Sequence, residues 1–130
     1  MAHPNEVLLR ESFAALGRGD LDTVRSQYWA ENIRWHIPSR SPLAADYDGA
    51  AQILGFIGRV FELSGSTFSS ELRDVLANDE RAVALYTERA EREGKRWVSN
   101  TVTVFHIRDG KITEIWSYLN DQYGFDEFWS

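Results

Sequence analysis

Residues 96–121, RWVSNTVTVFHIRDGKITEIWSYLND, decide the fold. Large or β-branched side chains alternate with polar ones on both sides of Asp109-Gly110, the pattern of two strands joined by a tight hairpin. The same period of two extends backwards through residues 81–91 and 67–76, interrupted at Glu93-Gly94 and Asn78-Asp79. Four strands are therefore expected, over 67–76, 81–91, 96–108 and 111–121.

Upstream of residue 67 the period is helical. Pro4 and Asn5 open a first helix with Leu9, Phe13 and Leu16 on one face and Gly17 as its C-cap. Asp20 caps a second helix that carries Leu21, Val24 and Tyr28. Ile33-Arg34-Trp35-His36-Ile37 alternates as a strand and stops at Pro38. Asp48 is the expected cap of a third helix carrying Ile53, Ile57, Val60 and Phe61, with Ser64-Gly65-Ser66 at its end. Between that strand and helix, residues 38–47 read as a loop closing over a pocket, and the aromatic tail (Tyr123, Phe125, Phe128, Trp129) packs back on the body.

Helices followed by an antiparallel meander define an α+β chain. Strands this long curl, so the expected architecture is a cone-shaped curved antiparallel sheet on three N-terminal helices. The helices cover one face. The other also carries large apolar residues, which predicts a homodimer through the sheet.

Composition narrows the function. A chain of 130 residues, 43% hydrophobic, suits a single domain spanning 1–130. Its charge of -6 argues against nucleic acid or an anionic membrane as partner. With no cysteine, thiolate chemistry and cysteine-ligated metals are excluded. The three histidines have no ligand spacing, so no metal is expected. The N-terminus lacks a basic region followed by an apolar run, and no later segment is long enough to span a bilayer; a cytoplasmic location is expected.

The order of elements, with GRGDLDTV at the second helix, WHIPSRSPLAADYDG after the first strand and RDGKITEIW at the last hairpin, resembles the nuclear transport factor 2-like (cystatin-like) superfamily and, within it, the SnoaL-like, polyketide cyclase-like branch. Ser39 stands where that branch's Trp-His-x-Pro-Gly loop carries glycine. The superfamily includes polyketide cyclases, ketosteroid isomerases, epoxide hydrolases, dehydratases and proteins that only bind ligands, so the site has to decide the activity. The resemblance implies an aspartate acid/base near the end of the last strand. A count from Gly110 puts that position at Asn120 or Asp121, depending on a one-residue gap.

Asp121 is the first catalytic candidate: a carboxylate at the mouth of an apolar cone can hold a raised pKa and exchange protons near neutrality. Its bland alternative is the capping of a strand end. His36 is the second candidate, a proton shuttle or hydrogen-bond donor, although alternation sets it with Arg34 on the face opposite Ile33, Trp35 and Ile37. Trp35, Phe56, Trp97 and Leu119 are candidate wall residues, with plain core as the alternative. Arg40 and Tyr47 are candidate contacts to a ligand carboxylate or carbonyl, against a loop salt bridge from Arg40 to Asp46 or Asp48.

Asn100 depends on the last hairpin. A two-residue turn carried through in register puts Asn100 on the face of Ile115, Ser117, Leu119 and Asp121. A bulge joins that face instead to Trp97, Thr101, Thr103 and Phe105. The charged run ERAEREGKR, 88–96, reads as an exposed hairpin. The expected function is acid/base proton transfer, of isomerase, cyclase or dehydratase type, on a hydrophobic carbonyl compound and without a cofactor. The alternative is a non-catalytic small-molecule binding protein on the same fold.

Overall fold

The computed structural model describes residues 2–38, 41, 43 and 45–130. The chain runs α1 (Pro4–Gly17), a short α2 (Leu21–Thr23) that widens into a π-helical turn over Val24–Tyr28, β1 (Trp29–Ile37), β2 (Ala45–Asp48), α3 (Ala50–Leu63), β3 (Ser69–Ala77), β4 (Arg81–Arg92), β5 (Lys95–Arg108), β6 (Lys111–Leu119) and α4 (Gln122–Trp129). The fold is α+β, as the periodicity predicts: four helices and one curved six-stranded sheet in the order β2-β1-β6-β5-β4-β3. The sheet is mixed rather than wholly antiparallel, because β1 runs parallel to β6. Among the described residues no helix is long and apolar enough to cross a membrane.

The β4–β5 and β5–β6 hairpins turn on Glu93-Gly94 and Asp109-Gly110, each pair with positive φ (51° and 77°, 52° and 75°). Two consecutive left-handed residues make the type I′ geometry that matches strand twist. Beyond the second turn Ile107 pairs with Ile112, yet His106 pairs with Glu114. Thr113 is therefore an extra residue, a bulge that turns β6 over by one position. From there Phe105 faces Ile115, Thr103 faces Ser117 and Thr101 faces Leu119. The bulged register is the observed one.

That single residue sorts the sheet into two faces. Trp97, Ser99, Thr101, Thr103 and Phe105 of β5 are all buried on the inner face, with Ala82, Ala84, Tyr86 and Ala90 of β4 beside them. Val98, Asn100 and Val102 of β5 point outward with Tyr118 of β6, and all four are exposed.

Three differences from the sequence expectation matter to the site. Residues 45–48 form a strand antiparallel to β1, held by Arg34 Nε to Asp48 Oδ1 at 2.7 Å. With its carboxylate engaged there, Asp48 does not cap α3; Gly49, at φ 85°, takes the N-cap position. The last strand ends at Leu119 instead of residue 121, and the tail forms α4, whose N-cap is Asp121.

The core has two parts. Leu9, Ile33, Ile53, Ile112 and Ile115 centre the larger one, and Ile37, Leu43, Trp97, Phe128 and Trp129 belong to the second, under α4. Helix α1 packs on β3 and β4, α3 on β1 and β2, and α4 on β5. The inner face between these helices is left uncovered by backbone and lines a hollow.

Candidate functional site

The hollow is a cavity of about 630 Å³, bounded by the inner face of the sheet, α1, α3 and α4. Its wall is mostly apolar: Trp29, Phe13, Ile57 and Phe68 line it together with Trp35, Phe56, Trp97 and Leu119. Trp35 Nε1 donates to Ser117 Oγ at 2.8 Å, which ties the indole to β6. Phe56 meets Trp35 edge-on at 5.2 Å and stacks on Tyr47 at 4.8 Å. Tyr47 thus stands behind Phe56, and its hydroxyl donates to the Leu43 carbonyl at 2.7 Å. It supports the wall without belonging to it. Arg40 lies outside the described residues.

Among the described residues one carboxyl group enters this cavity, and it is Glu88. Residues 82, 84, 86, 88 and 90 share the inner face of β4, so Glu88 is in phase with three alanines and a tyrosine. Glu88 is half-buried and lines the cavity. Thr101 Oγ1, on the neighbouring strand, lies 2.7 Å from its Oε1 and donates to it when the carboxyl is ionised. Burial pushes the Glu88 carboxyl up to about 7, and the Thr101 hydrogen bond offsets only part of that. Among the described residues no cation is paired with it. A carboxyl poised there is populated in both protonation states near neutral pH, the condition for accepting and returning a proton.

A line of hydroxyls accompanies Glu88 along the sheet. Ser99, Thr101, Thr103 and Ser117 are all buried, and Tyr86 OH lies 2.6 Å from Thr103 Oγ1. Burial raises the Tyr86 phenol well above its ordinary range, so it is a neutral hydrogen-bonding group. A ligand in this cavity therefore meets Tyr86, Glu88, Thr101 and Ser117 on the sheet side, set among apolar wall residues.

The two residues expected to carry acid/base chemistry are elsewhere. Asp121 is exposed at the N-terminus of α4, its Oδ1 accepting from Gly124 N at 2.9 Å. A Cβ at Gly124 would fall 2.4 Å from Asp121 Oδ2, so a larger residue there would displace the capping carboxylate. The carboxylate is a helix cap and does not reach the cavity wall. His36 points from the outer face of β1, with Nδ1 2.7 Å from Asp46 and Nε2 2.5 Å from Glu114. Hydrogen bonding to Asp46 and then to Glu114 raises its pKa against the opposing cost of partial burial. It is an ion-pair centre between β2, β1 and β6. Asn100, turned outward by the Thr113 bulge, accepts from Thr87 Oγ1 at 3.0 Å and does not line the cavity.

Glu88 was legible in principle. The alternation Ala82, Ala84, Tyr86, Glu88, Ala90 carries it inward, but the charged run from 88 to 96 reads as solvated and masks the phase. Among the described residues no group of three His, Asp or Glu side chains is arranged to hold a metal ion.

A family model described as a SnoaL-like domain matches residues 9–115. The chain belongs to the SnoaL-like family. It is similar to Bal32a, from a soil-derived mobile gene cassette, at 34% identity and a TM-score of 0.92, covering 98% of this chain and 97% of that one. It is also similar to an uncharacterized protein of Mycobacterium tuberculosis, 29% identical across 95% of this chain and 94% of the relative. A putative polyketide cyclase from Xanthomonas campestris shares the fold at 23% identity and a TM-score of 0.70, covering 95% and 94% of the two chains.

Proposed function

We propose that this protein transfers a proton on an apolar, carbonyl-containing small molecule held in the cavity, with Glu88 as the acid/base group. The reaction class is isomerisation, cyclisation or dehydration through an enol or enolate. The observation that carries the reading is the position of Glu88: one carboxyl on the wall of a largely hydrocarbon cavity, raised to about 7 by burial. Glu88 removes a proton from carbon next to the carbonyl, and the buried hydroxyls of the same face supply donors for the oxygen as charge develops. The helix-side aromatics hold the apolar part of the molecule and exclude water.

Hydrogen exchange tests this without knowledge of the natural substrate. 2-Tetralone, an apolar ketone, is incubated with the protein in deuterated water, and loss of its α-proton signals is followed by NMR. The protein should accelerate exchange, and Glu88→Gln should remove about 10²-fold or more of that acceleration, the scale of a positioned general base. Equal exchange by the variant would overturn the role of Glu88. Binding of the ketone with no acceleration by either protein would leave a non-catalytic binding protein as the reading.

The outer face of the sheet supports a second copy of the chain as partner. Val98, Val102 and Tyr118 are 55%, 37% and 56% exposed on β5 and β6, and no described element covers them. Apolar surface concentrated on one sheet face is buried most simply by the same face of a second molecule. Sedimentation velocity over a dilution series should show a dimer that Val102→Lys converts to monomer. A monomer at every concentration of the unmodified protein would refute the pairing.

A further inference from the structure

Glu88 sits at one end of a hydrogen-bonded chain that leads out of the cavity. Thr101 Oγ1 is 2.7 Å from Glu88 Oε1, Ser99 Oγ is 3.1 Å from Thr101 Oγ1, and Ser99 Oγ is 3.2 Å from Asn120 Oδ1. Ser99 and Thr101 are each 2% exposed, so both hydroxyls are nearly closed to bulk solvent. Asn120 is exposed, between the end of β6 and the Asp121 cap of α4.

Counting hydrogens constrains this chain. Three links need three hydrogens, one in each. Each hydroxyl supplies one, which makes two. With Asn120 Oδ1 turned to Ser99, the third can come only from Glu88 itself. The donation then runs Glu88 to Thr101 to Ser99 to Asn120, and Glu88 is a neutral acid. If the Asn120 amide turns by half a revolution, its Nδ2 supplies the third hydrogen from the other end. Donation then runs Asn120 to Ser99 to Thr101 to Glu88, and the chain ends on a carboxylate. Any other combination leaves a pair of lone pairs facing each other, or two hydrogens in one link, at a buried position.

We propose that Asn120 is a positioning residue for Glu88: through Ser99 and Thr101, the amide atom it presents selects whether Glu88 is held as an acid or as a carboxylate. The proton on Glu88 and the orientation of a surface amide are then one two-state device. The inference deepens the acid/base reading and rests on it for its purpose, since a group that must take and return a proton needs surroundings that satisfy both forms. A fixed donor or a fixed acceptor at residue 120 satisfies only one. An asparagine satisfies both. The sequence offers Asn120 and Asp121 as rival acid/base positions. The structure gives the first a connection to the cavity and the second a helix to cap.

The other titratable side chains on the cavity wall, among the described residues, are Tyr86 from β4 and Arg10 from α1. Tyr86 is neutral throughout the relevant range, and Arg10 is paired with Glu6 at 3.0 Å. From α3, α4, β1, β3, β5 and β6 the wall receives no charged group. Asp121 is the charged residue adjacent to Asn120 in sequence, and its effect is controlled for below.

The experiment follows the Glu88 side-chain carboxyl by carbon NMR in protein labelled at glutamate, its signal assigned by loss in Glu88→Gln. Thr101→Val removes the donor to the carboxylate and should raise the midpoint by about one pH unit, the worth of one hydrogen bond to one protonation state. Ser99→Ala strands the Thr101 hydrogen when Glu88 is neutral and should lower it by a similar amount. Asn120→Asp is an acceptor only and should raise it. That last shift should vanish when Ser99→Ala is added, whereas direct charge repulsion would persist in the double variant. Asp121→Asn should leave the midpoint within a few tenths of a unit. Shifts of the same sign for Thr101→Val and Ser99→Ala, or an Asn120→Asp shift that survives loss of Ser99, would overturn the relay. Because Asn120 is on the surface, its variants keep the test available if a buried substitution fails to fold. The titration reads Glu88 directly, so a relay that obeys these signs in a protein inert toward ketones would count against catalysis alone.

Discussion

The two faces of the central strands each hold a titratable group whose pKa is raised, and the causes are opposite in kind. On the inner face Glu88 is raised by burial, with Thr101 its one hydrogen-bond donor among the described residues. On the outer face His36 is raised by what it has, a carboxylate on each ring nitrogen. The same hydrogen count applies to both. Asp46 and Glu114 both accept, so His36 satisfies them only as an imidazolium with two N–H groups. Burial without a partner favours the neutral form of an acid, and partnership favours the charged form of a base. The outer arrangement is a satisfied structural joint between three strands. The inner one keeps a group near its point of balance, and that difference separates a site from a scaffold on one sheet.

The comparison breaks most directly at Glu88. Its folded pKa of about 7 lies above the reference value of 4.5. Below pH 4.5 both folded and unfolded chains hold the proton. As pH rises, the unfolded chain releases it first, so folding stability falls until about pH 7 and is level above that. The separation is about 2.5 pH units, and at about 1.4 kcal/mol per unit the loss is about 3 kcal/mol. Urea denaturation at pH 4.5, 6 and 8 should show this fall in the unmodified protein and its absence in Glu88→Gln. A pH profile shared by the two proteins would mean that Glu88 ionises freely and that the inner face is not the dry environment described.

What could be read from sequence followed the strength of the periodic signal. The strands of the meander and the three N-terminal helices are legible because their alternation or 3.6-residue spacing runs for nine residues or more in most of them. The register of the last hairpin is not, because a bulge needs one extra residue and Thr113, β-branched and polar, looks like any strand residue. That threonine decides whether Asn100 or Thr101 faces the cavity. Strand β2 escapes notice because Ala45-Asp46-Tyr47-Asp48 has little strand propensity of its own. It is held by ion pairs from β1, which only the tertiary structure brings into reach. Asp121 reads as a strand end since its capping partner, Gly124 N, belongs to a helix too short and aromatic to announce itself. The walls of the site, Trp35, Phe56, Trp97 and Leu119, were within reach of pattern reasoning. Glu88, the proposed acid/base group, is masked by the neighbouring run of surface charge.

A smaller and sharper test lies on the outer face. His36 is raised above 6.5, so its contribution to stability is complete below pH 6.5 and is lost as pH climbs through the folded value. The sign matches that of Glu88, but the window begins about where the Glu88 window closes. Imidazolium also lies over Trp116, ring to ring at 5.3 Å and 28°, a contact that favours the cation. His36→Gln should therefore flatten stability between pH 6.5 and 9 and leave the fall between pH 4.5 and 7 untouched. Because Asp46 is largely in solvent, the change should be at most about 1 kcal/mol, the range of partly exposed ion pairs. Urea midpoints at pH 6 and 9 measure it. If His36→Gln altered the lower window instead, the two faces would be coupled through β6, and the separation of scaffold from site would fail at Glu114 and its neighbour Ile115 on the cavity wall.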